Sequence, residues 1–97
     1  MIRHTVMFTW KDDATDAQKK QVAEELSRLP GVVPSIRAYA MGTDIGVNDG
    51  NWDFAVSGDF DNLDGYVAYR DDATHKAIIT EHIQPIIATR AAVQFEY

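Results

Sequence analysis

The sequence has no cysteine and a shortage of basic residues. Without cysteine there are no disulfide bonds, thiolate metal ligands or cysteine nucleophiles. The chain has nine lysines and arginines and fifteen aspartates and glutamates, which gives a net charge of −6. Such a chain has no basic surface to neutralise phosphates, so we expect no nucleic-acid partner.

Long apolar runs are also missing. No stretch approaches the length of a membrane span, and the first residues lack the apolar centre of a secretory signal. We therefore expect a cytoplasmic protein with no membrane partner. The 97 residues, 45% of them hydrophobic, suit one domain covering residues 1–97. A core of this size is small, and chains of this length often enlarge it by oligomerising.

Apolar periodicity predicts the order strand, helix, strand, strand, helix, helix, strand. The first strand alternates from Ile2 to Trp10, and further strands are predicted over residues 35–41, 52–60 and 89–97. In the third strand four aromatic or aliphatic residues are expected on one side: Trp52, Phe54, Val56 and Phe60. A glycine-rich, polar connection precedes that strand.

The helical segments carry apolar residues at helical spacing. The first helix begins with a capping box formed by Thr15 and Gln18. Its apolar face consists of Val22, Leu26 and Leu29. A short helix is expected around residues 63–67. Asp72 is the expected N-cap of the last helix, which Pro85 should end or kink. The apolar side of that helix is expected to carry four isoleucines: Ile78, Ile79, Ile83 and Ile86.

This order of elements predicts an α+β fold of the ferredoxin-like type, βαββαβ, with a four-stranded antiparallel sheet and helices on one face. The second strand is expected to carry Ile36 on one side and Tyr39 and Met41 on the other. Two sheets packed face to face would bury the uncovered surface, so we expect a homodimer. The carboxy-terminal strand, ending at Phe95 to Tyr97, is expected to take part in the contact.

Three polar residues stand where a pocket is expected. His4 occupies the apolar face of the first strand, and Tyr69 and His75 bracket the break before the last helix. We expect the three side chains to converge between helices and sheet. His75 lies near a helix start, where the dipole lowers the pKa of an imidazole and keeps it able to accept a proton. The pocket walls are expected to come from five apolar residues: Val6, Phe8, Val22, Leu26 and Ile79.

These residue types suit proton transfer beside a carbonyl group. The reaction needs a base with a pKa near 7 and a donor to the developing enolate oxygen. His75 would be the acid or base, His4 would orient the ligand or share the proton, and Tyr69 would donate to the oxygen. A structural interpretation stays open: a strand histidine can bond a backbone carbonyl, and a tyrosine before a helix can simply pack its ring.

We expect neither a metal ion nor a cofactor. His75 and His82 stand seven residues apart, about 10 Å along a helix axis, which is too far for one zinc ion. His82 is expected at the half-exposed surface. The connection before the third strand is rich in oxygen ligands but lacks the spacing of an EF-hand. We expect a solvated turn there, and cation binding stays open for its residues Asp44, Asn48, Asp49 and Asp53.

The whole chain resembles the stress-responsive A/B barrel (Dabb) family. The matching segments are residues 2–8, residues 11–19, the turn containing Gly42, residues 52–60, and the Tyr-x5-His pattern of residues 69–75. In the last segment Asp71 and Asp72 replace the commoner residues. The resemblance implies a dimeric α+β barrel of ferredoxin-like protomers, in a family whose members mostly have no assigned reaction.

One branch of this family is similar to the chain and has an activity. It is a plant polyketide cyclase that closes a resorcinolic acid ring by aldol condensation. The resemblance carries its two histidines onto His4 and His75 and a tyrosine onto Tyr69, while a further pocket tyrosine falls on Leu26, which has no hydroxyl.

Two functions therefore stay open. The first is a dimer that binds or sequesters a small apolar carbonyl or aromatic ligand, with a link to stress response that the resemblance alone implies. The second is a cofactor-independent enzyme, such as a cyclase, isomerase or monooxygenase, that uses histidine and tyrosine as acid–base groups.

Overall fold

One four-stranded antiparallel sheet, in the order β2-β3-β1-β4, organises the computed structural model, which describes residues 1–97. The strands are β1 (Ile2–Trp10), β2 (Ile36–Thr43), β3 (Phe54–Phe60) and β4 (Ile87–Glu96). The helices are α1 (Asp16–Ser27), α2 (Leu63–Asp71) and α3 (Ala73–Ile78). The predicted ferredoxin-like βαββαβ architecture is confirmed.

The core lies between the helices and one face of the sheet. The even-numbered residues of β1, which runs through the middle of the sheet, are buried there, and so is His4. α1 begins with the predicted capping box, because Thr15 and Gln18 each accept a backbone N–H from the other. Its residues Val22 and Leu26 complete the core from the helix side.

The second strand differs from the expectation. A bulge between Ile36 and Ala38 shifts the register, so Ile36, Tyr39 and Met41 all lie on the helix-facing side and pack against the core. The prediction that Tyr39 and Met41 oppose Ile36 is wrong, because one extra residue reverses the alternation. Beyond Arg37 at the bulge, the other side of β2 carries small residues: Ala38, Ala40 and Gly42.

Two further apolar residues fall outside the elements predicted for them. β3 begins at Phe54, so Trp52 precedes the strand and is only half-buried. The last helix continues beyond α3 as a π-helical turn over Ile79–Ile83 and stops before Pro85, whose ring cannot be accommodated within a helix. Ile86 is therefore not helical, although it is buried in the core.

The sheet face opposite the helices is open and carries several large apolar residues beside the Arg3–Asp59 ion pair. Its exposed residues come from β1 and from the carboxy-terminal strand, and they are between 40% and 57% exposed: Met7, Val93, Phe95 and Tyr97. No helix combines the length and apolar character needed to cross a membrane.

Candidate functional site

α2 and α3 meet at a single residue. The N–H of Asp72 donates to the Tyr69 carbonyl at the end of α2, and its Oδ1 accepts the N–H of His75 over 2.9 Å at the start of α3. The predicted cap is confirmed. Because no loop separates the helices, Tyr69 and His75 lie against each other, with ring centroids 4.1 Å apart.

The backbone of α2 also determines the tautomer of His75. Nδ1 of this ring lies 2.9 Å from the carbonyl oxygen of Tyr69. A carbonyl oxygen only accepts, so Nδ1 carries the proton and Nε2 keeps the lone pair. Burial is the main cause of a lowered pKa of His75, and Arg90 adds to it, whereas the backbone of Tyr69 and the Asp72 carboxylate oppose it. The expected lowering of the His75 pKa is present, but burial and not the helix dipole is its main cause.

His4 has the opposite tautomer. Its Nδ1 accepts a hydrogen bond of 2.8 Å from the side-chain amide of Gln94, the residue directly across the β1–β4 ladder. The proton of a neutral His4 is therefore on Nε2. Burial lowers the pKa of His4 to about 4, and the positive charge of Arg90 and the neighbouring His75 act in the same direction. Both rings are neutral at pH 7.

Nε2 is the nitrogen left over in both rings. The hydrogen bonds of the two rings to other protein atoms are made by Nδ1. Both residues line one cavity. Nε2 therefore carries the N–H in the neutral His4 ring and the lone pair in the His75 ring.

The cavity lies between the sheet and the helices and has a volume of about 310 Å³. The structure brings His4, Tyr69 and His75 together on its wall, with 5.9 Å between the ring centroids of His4 and Tyr69. Val22 does not line it, contrary to expectation, because its side chain is fully buried in the core. The other expected wall residues do: Val6, Phe8, Leu26 and Ile79.

A second tyrosine shares the site. The hydroxyls of Tyr39 and Tyr69 are 2.8 Å apart, so one donates to the other. Burial raises the pKa of Tyr69 to about 12 and raises that of Tyr39 further, so both are protonated at neutral pH. The hydroxyl that accepts the bond between them keeps its own proton for another acceptor. Tyr39 lies across Gly58, where a Cβ atom would meet the Tyr39 ring at 3.2 Å.

Sequence reasoning missed Tyr39, Arg90 and Gln94. For Tyr39 the signal is Gly58, because a glycine inside an apolar strand is typical of close approach by a neighbouring group. Strict alternation in β4 also places Arg90 and Gln94 on the same face as each other, opposite the face of Val93.

The oxygen-rich loop makes internal contacts. Asp53 accepts the Trp10 N–H over 2.8 Å, and Asp44 accepts from Gly46 N–H and the Asn51 amide. No group of three or more histidine, aspartate or glutamate side chains is arranged to hold a metal ion. His82 is half-buried outside the cavity.

Fold and cavity together define a ferredoxin-like α+β protein with an apolar pocket that contains two histidines and two tyrosines. Residues 2–97 match the family described as the stress responsive A/B barrel domain, Dabb. The chain belongs to this family.

Solved structures of similar proteins agree with this assignment. The chain is 45% identical to a dimeric ferredoxin-like protein of unknown function from Thermobifida fusca, with coverage of 99% of this chain and 90% of that one and a TM-score of 0.91. It is 28% identical to a dimeric protein of unknown function from Bacteroides fragilis, with coverage of 99% and 95% and a TM-score of 0.81. A hydroxynitrile lyase from Passiflora edulis shares the fold at 16% identity, with coverage of 97% and 90% and a TM-score of 0.85. No curated protein matches the chain.

Proposed function

We propose that the cavity binds a small, largely apolar carbonyl or aromatic compound and moves a proton at the carbon beside its carbonyl group. The observation that carries this proposal is the pair of opposite imidazole tautomers at one apolar cavity. Nε2 of His75 is a base and Nε2–H of His4 is a donor, both neutral at the same pH.

The proposed step uses only groups of this chain. Nε2 of His75 takes the proton, the C–H electron pair forms the C=C bond of an enolate, and the carbonyl π pair moves to oxygen. Nε2–H of His4 or the hydroxyl of Tyr69 donates to that oxygen, and apolar surroundings strengthen the contact. Each positioned acid–base contact is typically worth about 10²–10⁴-fold in rate.

The fate of the enolate decides the reaction. Return of the proton to the same carbon gives exchange, and delivery to another carbon gives isomerisation. Attack of the enolate carbon on a second carbonyl of the same molecule gives aldol ring closure. No electrons are gained or lost overall, so none of these outcomes needs an oxidant or a reductant, and we propose that His75, His4 and Tyr69 suffice without a cofactor.

Proton exchange in D₂O tests the proposal without knowledge of the natural substrate. Benzyl methyl ketone is the probe, and NMR follows the loss of its α-proton signal. We expect the wild-type protein to accelerate exchange and His75→Asn to reduce that acceleration by about 10²-fold. His82→Asn, which removes an imidazole outside the cavity, is the control and should behave as wild type. Equal rates for the two variants would contradict the role of His75.

The aliphatic and aromatic lining favours a second function, ligand binding without turnover. The family description links its members to stress response, and a ligand-binding role there fits the same cavity. Saturable binding of the ketone without accelerated exchange would assign this function in place of catalysis.

We also propose that the protein is a homodimer. The open sheet face presents Met7, Val93, Phe95 and Tyr97 to solvent, and a group of large exposed apolar residues on one face is typical of an interaction site. The Thermobifida fusca and Bacteroides fragilis proteins are both described as dimeric.

A further inference from the structure

We infer that the ligand of this cavity carries a carboxylate beside its apolar body and that Arg90 binds this carboxylate. The inference rests on the proposed function of the cavity and narrows its substrate class to apolar keto acids.

Arg90 is the one arginine without a carboxylate partner. The other four arginines pair with acidic side chains: Arg3 with Asp59, Arg28 with Glu25, Arg37 with Asp61 and Arg70 with Asp71. Fifteen acidic residues are available in the chain, yet none of them contacts Arg90. Its guanidinium is therefore free to bind an anion from outside the protein.

The position of Arg90 connects it to the cavity. It is the only charged residue among those that line the cavity, and it is exposed to solvent. In the β4 ladder it lies opposite Phe8 on the helix-facing side, and Gln94, the partner of His4, lies on the same side. Arg90 thus lines the same cavity as the acid–base groups, and its side chain is exposed to solvent.

The electrostatics of the site support an anionic ligand. The positive charge of Arg90 contributes to the lowered pKa of His4 and of His75, and it opposes the rise that burial causes in the pKa of Tyr69, so it acts on every group of the proposed step. A carboxylate bound to Arg90 would offset this charge and make His75 a stronger base only when the ligand is in place. A chain with a net charge of −6 repels anions overall, so an anion site in it requires a local cation.

The chemistry of arginine favours a carboxylate as the anion. The planar guanidinium offers two parallel N–H groups that match the two carboxylate oxygens. The apolar walls then accommodate the remainder of the ligand, and its carbonyl group lies between carboxylate and apolar body in a keto acid.

Two probes that differ only at this group test the inference. Phenylpyruvate carries a carboxylate where benzyl methyl ketone carries a methyl group. We expect the wild-type protein to bind phenylpyruvate about tenfold more tightly in calorimetric titrations. Arg90→Gln should remove this preference and leave the affinity for the ketone within about twofold, and Arg90→Lys should restore part of the preference. Arg37→Gln, an equal loss of charge at an exposed site outside the cavity, should keep the wild-type preference.

The outcomes separate this inference from the proposed reaction. Equal affinities of the wild-type protein for the two probes would overturn the carboxylate assignment, and so would an equal loss of both affinities in Arg90→Gln. The exchange experiment with the ketone would still test the role of His75. An Arg90-dependent preference for phenylpyruvate without accelerated ketone exchange would support the assignment and contradict the reaction. Failure of both probes to bind would overturn both.

Discussion

Gln94 determines which nitrogen of His4 carries the proton, because its amide donates to Nδ1. In Gln94→Glu the carboxylate only accepts, so we expect the proton to move to Nδ1 and the pKa of His4 to rise. Long-range ¹H–¹⁵N correlation spectra of the three histidines report tautomer and pKa directly. Nε2 of His4 would then be a lone pair, and the cavity would have two acceptors and no imidazole donor.

Gln84→Glu is the matched control for this experiment. Gln84 also lines the cavity but makes no hydrogen bond to His4. The same carboxylate introduced there should leave Nε2 of His4 protonated. A wild-type spectrum with the His4 proton already on Nδ1 would show that the amide of Gln94 is turned the other way.

The buried imidazoles also make stability depend on pH. The pKa of His4 falls from its ordinary value of 6.5 to about 4 on folding, so between these values the unfolded chain binds more protons than the folded one. The contribution of the neutral His4 ring to the free energy of unfolding is complete above pH 6.5 and is lost as the pH falls toward 4. Lowering the pH from 7.5 to 5 should cost roughly 2 kcal/mol from His4. The lowered pKa of His75 adds to the loss in the same direction.

Urea unfolding at pH 7.5 and pH 5, at one protein concentration, measures this dependence. His4→Gln removes the titrating group, so its difference between the two pH values should shrink whatever its absolute stability. His82→Gln serves as the control because its ring lies outside the cavity. An unchanged pH dependence in His4→Gln would show that His4 is not the group responsible.

At the scale of elements, the junction of α2 and α3 couples helix capping to the site. Asp72→Ala removes the side-chain acceptor for the His75 N–H, and we expect a loss of about 1 kcal/mol in the free energy of unfolding. We also expect the His75 ring to leave the Tyr69 carbonyl in part of the molecules, seen as a mixed tautomer in the same ¹⁵N spectra. Asp72→Asn keeps an acceptor and should restore both readouts.

Asn62→Ala separates the two effects. Asn62 caps α2 at its other end, where its side chain accepts the Gly65 N–H over 2.9 Å. Its loss should cost a similar free energy of unfolding while the tautomer of His75 stays unchanged. If Asn62→Ala disturbs His75 as much as Asp72→Ala does, global loosening explains the result and the junction has no special role.

The features that the sequence predicted correctly are local ones. A capping box needs residues three apart, and the cap at Asp72 needs only the next turn, so both could be predicted from spacing alone. The positions of His4, Tyr69 and His75 at one cavity follow from strand alternation and from that helix junction.

The features that were missed depend on distant partners. The bulge in β2 brings Tyr39 to the site, and the residues of that segment give no indication of a bulge. Gln94 meets His4 only through the register of two strands that lie 90 residues apart in sequence. Val22 was misplaced because helical spacing shows which face is apolar but not which of its residues reaches the cavity.

In the molecule as a whole, the helices cover one face of the sheet and leave the other exposed. β4 supplies most of the open surface, with Val93 56% exposed and Phe95 44% exposed. The two-sided apolar patterning expected for β2 is absent because of the bulge, so β2 does not support a dimer. The alternation of β4 supports it instead, because Val93 and Phe95 lie on the face opposite Gln94.

A charge introduced on this surface should therefore prevent association. Sedimentation at micromolar concentration should show the wild-type protein at twice the 10.9 kDa of one chain, and Val93→Lys at the monomer mass. Deletion of residues 95–97 should weaken the dimer as well, because Phe95 and Tyr97 belong to the same face. Ile45→Lys places the same charge on a residue that is 86% exposed in a loop, and it should leave the dimer intact. A wild-type protein that sediments as a monomer would contradict the dimer itself, whereas a dimeric Val93→Lys variant would place the interface on another surface.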